Sequence, residues 1–131
     1  MIDIKNISKW YGSFQVLTPR FHPNAREIAF MSYFRNEPRV YLYNLDTRQQ
    51  QVLGSFGGMT FSPRFSPDGR SVILSASRGG DSNIFVVDLA SRRERQLTSG
   101  GGLDVSPSYS PDGSQIVFNS DRGGDQQIYV M

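Results

Sequence analysis

The 131-residue sequence predicts an all-β fold of the β-propeller type, and three observations support that prediction. First, SPRFSPDG begins at Ser62, SPSYSPDG begins 44 residues later at Ser106, and a divergent copy, TPRFHPNA, begins 44 residues earlier at Thr18. Second, each copy is followed by short runs of five to seven residues rich in Val, Ile, Phe and Tyr, a length that suits buried strands better than helices. Third, four strands per unit at a period near 44 residues is typical of a propeller blade.

Each unit is interpreted as one blade, with strand A at the ring axis and strand D outermost. The three blades span residues 18–61, 62–105 and 106–131. Strand A carries the Ser-Pro copies, and strand B follows at Arg26–Ser32, Arg70–Ala76 and Ser114–Ser120. Strands C and D come next, at Arg39–Leu45, Asn83–Leu89 and Gln127–Met131 for C and at Arg48–Gly54 and Arg92–Thr98 for D. The third unit ends at strand C, so its blade is predicted to lack strand D.

Acidic residues recur in the turns between these strands. Pro-Asp-Gly contains Asp68 and Asp112, and it favours a tight turn because Pro presets φ and Gly accepts a positive φ. Arg-Gly-Gly-Asp ends at Asp81 and Asp125 and is typical of a hairpin. Carboxylates suit Ca²⁺, but Asp before Gly is ordinary turn chemistry and the EF-hand spacing is absent. We therefore predict that these acids are structural and that no metal or other cofactor is bound.

The composition excludes several functional classes. The formal charge is only +2, which gives little support to nucleic acid or an anionic membrane as a partner. The chain has no cysteine, so disulfides, thiolate metal sites and cysteine nucleophiles are ruled out. No run of 18 apolar residues occurs, and no membrane span is expected. The first residues lack a basic start followed by an apolar stretch, so no signal peptide is predicted.

From Thr18 to Met131 the repeated motifs resemble those of the TolB-like six-bladed propellers. The two Pro-Asp-Gly copies and the two Arg-Gly-Gly-Asp copies carry the resemblance together, although the first repeat has lost both. The resemblance implies a non-catalytic module that binds proteins or peptides, with a Pal-like lipoprotein as one possible partner and the periplasm as the compartment. The smaller N-terminal domain that binds TolA in that family has no counterpart in this sequence. Three repeats also stand where the family has six, so the chain looks like half a propeller.

Residues 1–17 resemble a different family, the ATPases of ABC transporters, in which an aromatic residue follows the first strand and stacks on adenine. Tyr11 stands at that position. The phosphate-binding run G-x-x-x-x-G-K-[ST] is absent from the whole sequence, so an ATPase is not expected. The junction near Leu17 suggests a recombined or engineered chain, with a diverged natural N-terminus as the alternative. Trp10, Tyr11 and Phe14 are expected to pack on the outer face of the third blade rather than to stack on a base.

Half a propeller predicts a dimer. An isolated arc of three blades would leave two apolar blade faces in water, whereas two chains related by a two-fold axis along the channel close a six-bladed ring. The segment before the first blade then lies beside the partner's third blade. We expect it to supply the missing strand D, pairing with the strand at Gln127–Met131 and so hiding an open sheet edge. The residues predicted to make this exchange are Ile2, Ile4, Ile7, Ile128 and Val130.

The innermost strands offer a candidate ligand site. If Phe21, Phe65 and Tyr109 wedge between blades, alternation directs the side chains before them to the central channel. Those side chains belong to Arg20, Arg64 and Ser108. Guanidinium groups there favour anionic or carboxylate-bearing ligands, and the alternative is that they only solvate the channel. Arg78 and Arg122 recur in the hairpin turns as further candidates, and each is also able to pair with an acid of a neighbouring loop, such as Asp104.

No catalytic residue is predicted. His22 is the only histidine and stands where Ser66 and Ser110 stand in the other repeats, which favours a polar turn residue over a member of a nucleophilic triad. Three functions remain open from the sequence. The first is a non-catalytic binding propeller that dimerises, the second is a recombined fragment selected only for folding, and the third, least supported, is a hydrolase or ATPase.

Overall fold

The fold is taken from a computed structural model that describes residues 16–33 and 36–131. All regular elements in these ranges are β-strands, as predicted, and no helix in them is long or apolar enough to cross a membrane. The strands are β1 (Val16–Phe21), β2 (Glu27–Ser32), β3 (Arg39–Asn44), β4 (Gln50–Val52), β5 (Met59–Phe65), β6 (Ser71–Arg78), β7 (Asp81–Asp88), β8 (Glu94–Gln96), β9 (Asp104–Tyr109), β10 (Ile116–Ser120) and β11 (Gln127–Val130).

The strands form three antiparallel sheets in chain order. The first sheet has the order β1-β2-β3-β4 and the second has the order β5-β6-β7-β8. The third sheet has the order β9-β10-β11. The repeat pattern predicted this arrangement, because every strand pairs with the next strand of its own unit and the third unit stops before a fourth strand.

The sheets pack face to face through apolar side chains. The main core lies between the first two sheets and joins Ala29, Val40 and Leu42 of the first to Val72 and Leu74 of the second. The third sheet is attached through its first strand, since β9 contacts β5, β6 and β7. The first strands of adjacent sheets also touch, because β5 contacts both β1 and β9. The sheets are therefore stacked as blades, with β1, β5 and β9 side by side.

Each of these first strands contains the same irregularity. Thr18, Ser62 and Ser106 have φ values of 51°, 53° and 55°, which place L-residues in the sparsely populated left-handed region. Each is followed by proline, and the pairing register of the first strand with the second shifts in all three blades. The shift is the mark of a β-bulge, which bends the strand and re-aims the side chains that follow. The bulge thus sets the orientation of Arg20, Arg64 and Ser108.

The Pro-Asp-Gly turns are held by their own side chains, as the structural interpretation of these acids predicts. In the third blade Asp112 Oδ1 accepts from Ser110 Oγ at 2.6 Å, from the Ser114 backbone N–H at 3.0 Å and from Ser114 Oγ at 2.8 Å. Asp68 accepts in the same way from Ser66 Oγ at 2.6 Å and from the Arg70 N–H at 3.0 Å. Because these donors favour the charged form, the bond from Ser110 first and those from Ser114 next lower the pKa of Asp112 to about 2.

Because the pKa of Asp112 is lowered in the folded state, the turn that contains it is predicted to make the stability of the fold depend on pH. A carboxyl whose pKa is lower in the folded state stabilises the fold fully above its unfolded value of 3.8, and that contribution is lost as pH falls through about 2. Asp112→Asn is expected to melt below the parent at pH 7, and the gap is expected to narrow between pH 3.8 and about 2. Melting temperatures of both proteins across this range test the prediction. A gap that stays constant down to pH 2 would contradict it.

The first blade is tied to the second by His22. Its Nε2 lies 2.9 Å from the Gly69 carbonyl oxygen, and its Nδ1 accepts from the Asn24 N–H at 3.0 Å. Nδ1 is the acceptor, so Nε2 carries the proton and donates. The ring also meets Phe65 edge to face, with centroids 4.9 Å apart. His22 is therefore more than the polar turn residue that the sequence predicts, because it links the turns of two blades.

Candidate functional site

The outer edge of β11 has no partner among the described residues, whereas the same edges of β3 and β7 are hydrogen-bonded. Val40 and Ile84 each donate their backbone N–H to a threonine hydroxyl, Val40 to Thr60 at 2.8 Å and Ile84 to Thr98 at 2.9 Å. Their carbonyls accept from the N–H groups of Leu53 and Leu97, both at 2.8 Å. Ile128 stands at the same repeat position on β11, and no described residue pairs with the outer edge of that strand. Edges of this kind add a further strand readily.

The face of the third sheet that points away from the second also exposes apolar side chains. These are Val117, Ile128 and Val130, which are 38%, 73% and 60% exposed, and exposed Asn119 lies among them. The equivalent positions in the first two blades are covered by the following blade. They are held by Ala29, Val40 and Leu42 in the first blade and by Ile73, Ile84 and Val86 in the second, and all but half-buried Val86 are at most 2% exposed. The exposed apolar face of the third sheet therefore matches the faces that the following blade covers in the first two sheets.

The first sheet is only partly open on the side away from the second. Phe21 is 55% exposed, whereas its equivalents contact the preceding blade: Phe65 packs on the core between the first two sheets and Tyr109 Oη lies 3.2 Å from Ser71 Oγ. A second cluster on this side, Ile28, Phe30, Tyr41 and Tyr43, is nevertheless buried. The expectation of two fully open blade faces is therefore wrong for the first sheet, because only Phe21 of these five side chains is exposed.

Half of the predicted strand exchange lies outside the described residues. Ile2, Ile4 and Ile7 belong to residues 1–15, and so do the aromatic residues Trp10, Tyr11 and Phe14. The other half is described. Ile128 and Val130 lie on β11 with their side chains exposed on the open face. Their pairing with the segment at residues 2–8 stays a prediction.

The predicted channel residues stand together at the bulges. Arg20 and Arg64 occupy equivalent positions on the contacting strands β1 and β5, and both are half-buried. In each, Nη1 donates to the carbonyl oxygen of the preceding proline at 2.8 Å. Partial burial and then the positive charge of Arg20 lower the pKa of the Arg64 guanidinium. Ser108 takes the corresponding place on β9 and is half-buried as well.

Arg122 is engaged within its own blade. Its Nη2 lies 2.8 Å from Asp104 Oδ2, its Nε donates to Ser120 Oγ at 2.9 Å, and its guanidinium carbon lies 5.2 and 5.1 Å from the ring centroids of Phe118 and Tyr129. This is the acid pairing that the sequence suggested. Burial acts to raise the pKa of Asp104, but hydrogen bonds from Ser120, Thr98 and Arg122 outweigh it and hold that pKa below its usual value.

Arg78 is arranged differently from Arg122. It is exposed and has no ion pair among the described residues. The second blade has Thr60 at the position that Asp104 holds in the third, so no carboxylate stands there to pair with Arg78. The Thr60 hydroxyl instead accepts a hydrogen bond from the Val40 backbone N–H. The ligand-binding roles considered for Arg78 and Arg122 stay predictions.

The described ranges do not assemble a hydrolytic or metal centre. Both ring nitrogens of His22, the only histidine of the chain, are bound to the turns of the first two blades. Across the described ranges no group of three or more His, Cys, Asp or Glu side chains is placed to hold a metal ion.

Comparisons with known proteins agree with the fold. The family described as the TolB beta propeller domain matches residues 7–131. The "Tol-Pal system protein TolB" of Paramagnetospirillum magneticum is 62% identical over 50 residues, which are 38% of this chain and 11% of that protein. The crystal structure of TolB from Acinetobacter baumannii superposes with a TM-score of 0.80 at 40% identity, over 88% of this chain and 29% of that one.

A more distant structure shares the fold. A putative TolB from Agrobacterium tumefaciens superposes with a TM-score of 0.76 at 22% identity, over 88% of this chain and 46% of that chain. In each of these comparisons the chain corresponds to less than half of the related protein.

Proposed function

Because the chain belongs to the TolB beta propeller domain family, we propose that it is a non-catalytic scaffold for protein or peptide partners and that two copies assemble into one six-bladed ring. The open third sheet carries the proposal. Its exposed apolar face, and the edge that no described strand pairs with, occupy positions that the next blade and the next strand cover elsewhere in the chain. A second copy supplies its first blade as the next blade at the same spacing. An unrelated partner would need a surface of the same shape to cover this face.

The order of blades in such a ring decides which segment meets β11. Going round the ring, the third blade of one chain is followed by the first blade of its partner, and the partner's residues 2–8 lie next to β11. Phe21 of the partner then faces Val117, Ile128 and Val130, which supplies the contact that Phe65 and Tyr109 make inside the chain. The exchange is reciprocal, so the fold of each chain depends on the dimer.

The partner class is proposed from the family. Relatives carry the name "Tol-Pal system protein TolB", so a Pal-like lipoprotein is the first partner to test. A chain that folds and dimerises without binding such a partner would support the alternative of a recombined fragment selected only for folding.

The solution mass is the direct test of assembly. Light scattering at micromolar concentration is expected to give the mass of two 14.7 kDa chains, with a melting temperature that rises with protein concentration. A folded monomer at that concentration would overturn the proposed ring. A structure in which residues 2–8 pair within their own chain would overturn the strand exchange.

A further inference from the structure

We propose that Arg20 and Arg64 form one binding site for an oxyanion, either a phosphate group or a carboxylate. The two arginines occupy the same position of neighbouring repeats on strands that contact each other. Both belong to one chain, so the partner contributes neither arginine, and binding is tested separately from the mass that tests the proposed ring.

The backbone fixes where both guanidinium groups stand. Thr18 and Ser62, two residues before each arginine, adopt left-handed φ values of 51° and 53°. Non-glycine residues are rarely found there, and such positions concentrate at sites that need a fixed geometry, although Ser106 shares the conformation in the third blade. Each arginine then donates one Nη1 hydrogen bond to the carbonyl before it, at 2.8 Å in both blades. The Arg20 and Arg64 guanidinium groups are therefore held by the same hydrogen bond in their two blades.

No described carboxylate forms an ion pair with Arg20 or Arg64. The ion pairs among the described residues are Arg26–Asp46, Arg39–Glu37 and Arg122–Asp104, and none includes Arg20 or Arg64. Partial burial first, and then the positive charge of Arg20, lower the pKa of the Arg64 guanidinium. An anion between them would relieve the repulsion and accept from their remaining N–H groups.

The geometry of guanidinium selects the chemistry of the ligand. Each group presents five N–H donors in a planar fork, and one of them is used on the preceding carbonyl. The remaining donors match the paired oxygens of a phosphate or a carboxylate, which accept bidentate bonds. The Ser108 hydroxyl, at the equivalent place on β9, adds a neutral donor in the next blade.

The test compares two pairs of arginines that change the charge equally. Arg20→Gln/Arg64→Gln removes the proposed site, and Arg48→Gln/Arg92→Gln removes two exposed arginines that are likewise 44 residues apart. Inorganic phosphate is titrated into each protein while the side-chain N–H signals of arginine are followed by NMR. We expect the parent and the control pair to bind alike, and the Arg20/Arg64 variant to bind at least about tenfold more weakly.

A second arm identifies the source of the oxyanion. A short peptide with a free carboxyl terminus is compared with the same peptide amidated, under the same salt conditions. Stronger binding of the free acid than of phosphate assigns the site to a peptide terminus, and the reverse order assigns it to a phosphate group. Equal weakening in both double variants, or phosphate shifts that leave the Arg20 and Arg64 signals unmoved, would overturn the proposal.

Discussion

Ile128→Lys is expected to dissociate the proposed dimer, weakening self-association at least about a hundredfold. In the proposed ring this side chain leaves water and packs against the partner's first blade, where an unpaired ammonium group would be costly. The structure of a single chain shows why the residue is a sensitive probe. Ile128 is 73% exposed there, while Ile84 at the same repeat position is fully buried. Light scattering over a range of concentrations measures the change.

Val52→Lys is the matched control for this variant. Val52 is an apolar residue on β4, the outer strand of the complete first sheet, and is 50% exposed. A lysine there changes the charge by the same amount on another outer strand, and the dimer is expected to persist. Equal loss of association in both variants would mean that lysine disturbs outer strands in general. An unchanged mass for Ile128→Lys would remove β11 from the interface.

Gly69→Ala is expected to destabilise the fold by roughly 2–3 kcal/mol through two separate effects. The residue has φ +72°, and an L-residue in this left-handed conformation costs about 1–2 kcal/mol. A Cβ would also lie 2.5 Å from Cε1 and Nε2 of His22. The imidazole has to move, and its hydrogen bond to the Gly69 carbonyl, worth about 1 kcal/mol, is lost with that movement. Urea unfolding at fixed protein concentration measures the sum.

Gly113→Ala separates the two effects. Gly113 takes the same place in the next repeat with φ +75°, but a Cβ there meets only Pro67, at 3.5 Å, which is an ordinary contact. This variant therefore carries the backbone cost alone and should be less destabilised than Gly69→Ala. Equal losses would show that the His22 link between the first two blades contributes nothing.

The sequence predicts the sheets well because every unit repeats the same local signals. Apolar runs and Pro-Asp-Gly turns recur at 44 residues, so pairing within a blade follows from neighbours in the chain. The bulges at Thr18, Ser62 and Ser106 were not predicted, since neither Ser nor Thr before Pro signals a positive φ. The repeated Ser-Pro and Thr-Pro pairs were the available signal, and their regular spacing could have drawn attention to the inner strands.

Contacts that depend on differences between repeats were harder to predict. The ion pair of Arg122 with Asp104 was suggested, but the absence of an acid at Thr60 leaves Arg78 without the same partner. The burial of Ile28, Phe30 and Tyr43 was not predicted, because the repeat pattern predicts the same exposed apolar face for the first sheet as for the third. The packing of an end sheet depends on contacts that the internal repeats do not make, so comparing repeats does not predict it.

The proline in each bulge affects which sheet edges can pair with a further strand. The first strands β1, β5 and β9 are edge strands too, and Pro19, Pro63 and Pro107 each remove a backbone donor from them. A bulge together with a proline blunts an edge against pairing with another chain. The strand β11 has neither device. Strand addition is consequently hindered at β1, β5 and β9, whereas β11 offers a further strand an edge without these devices.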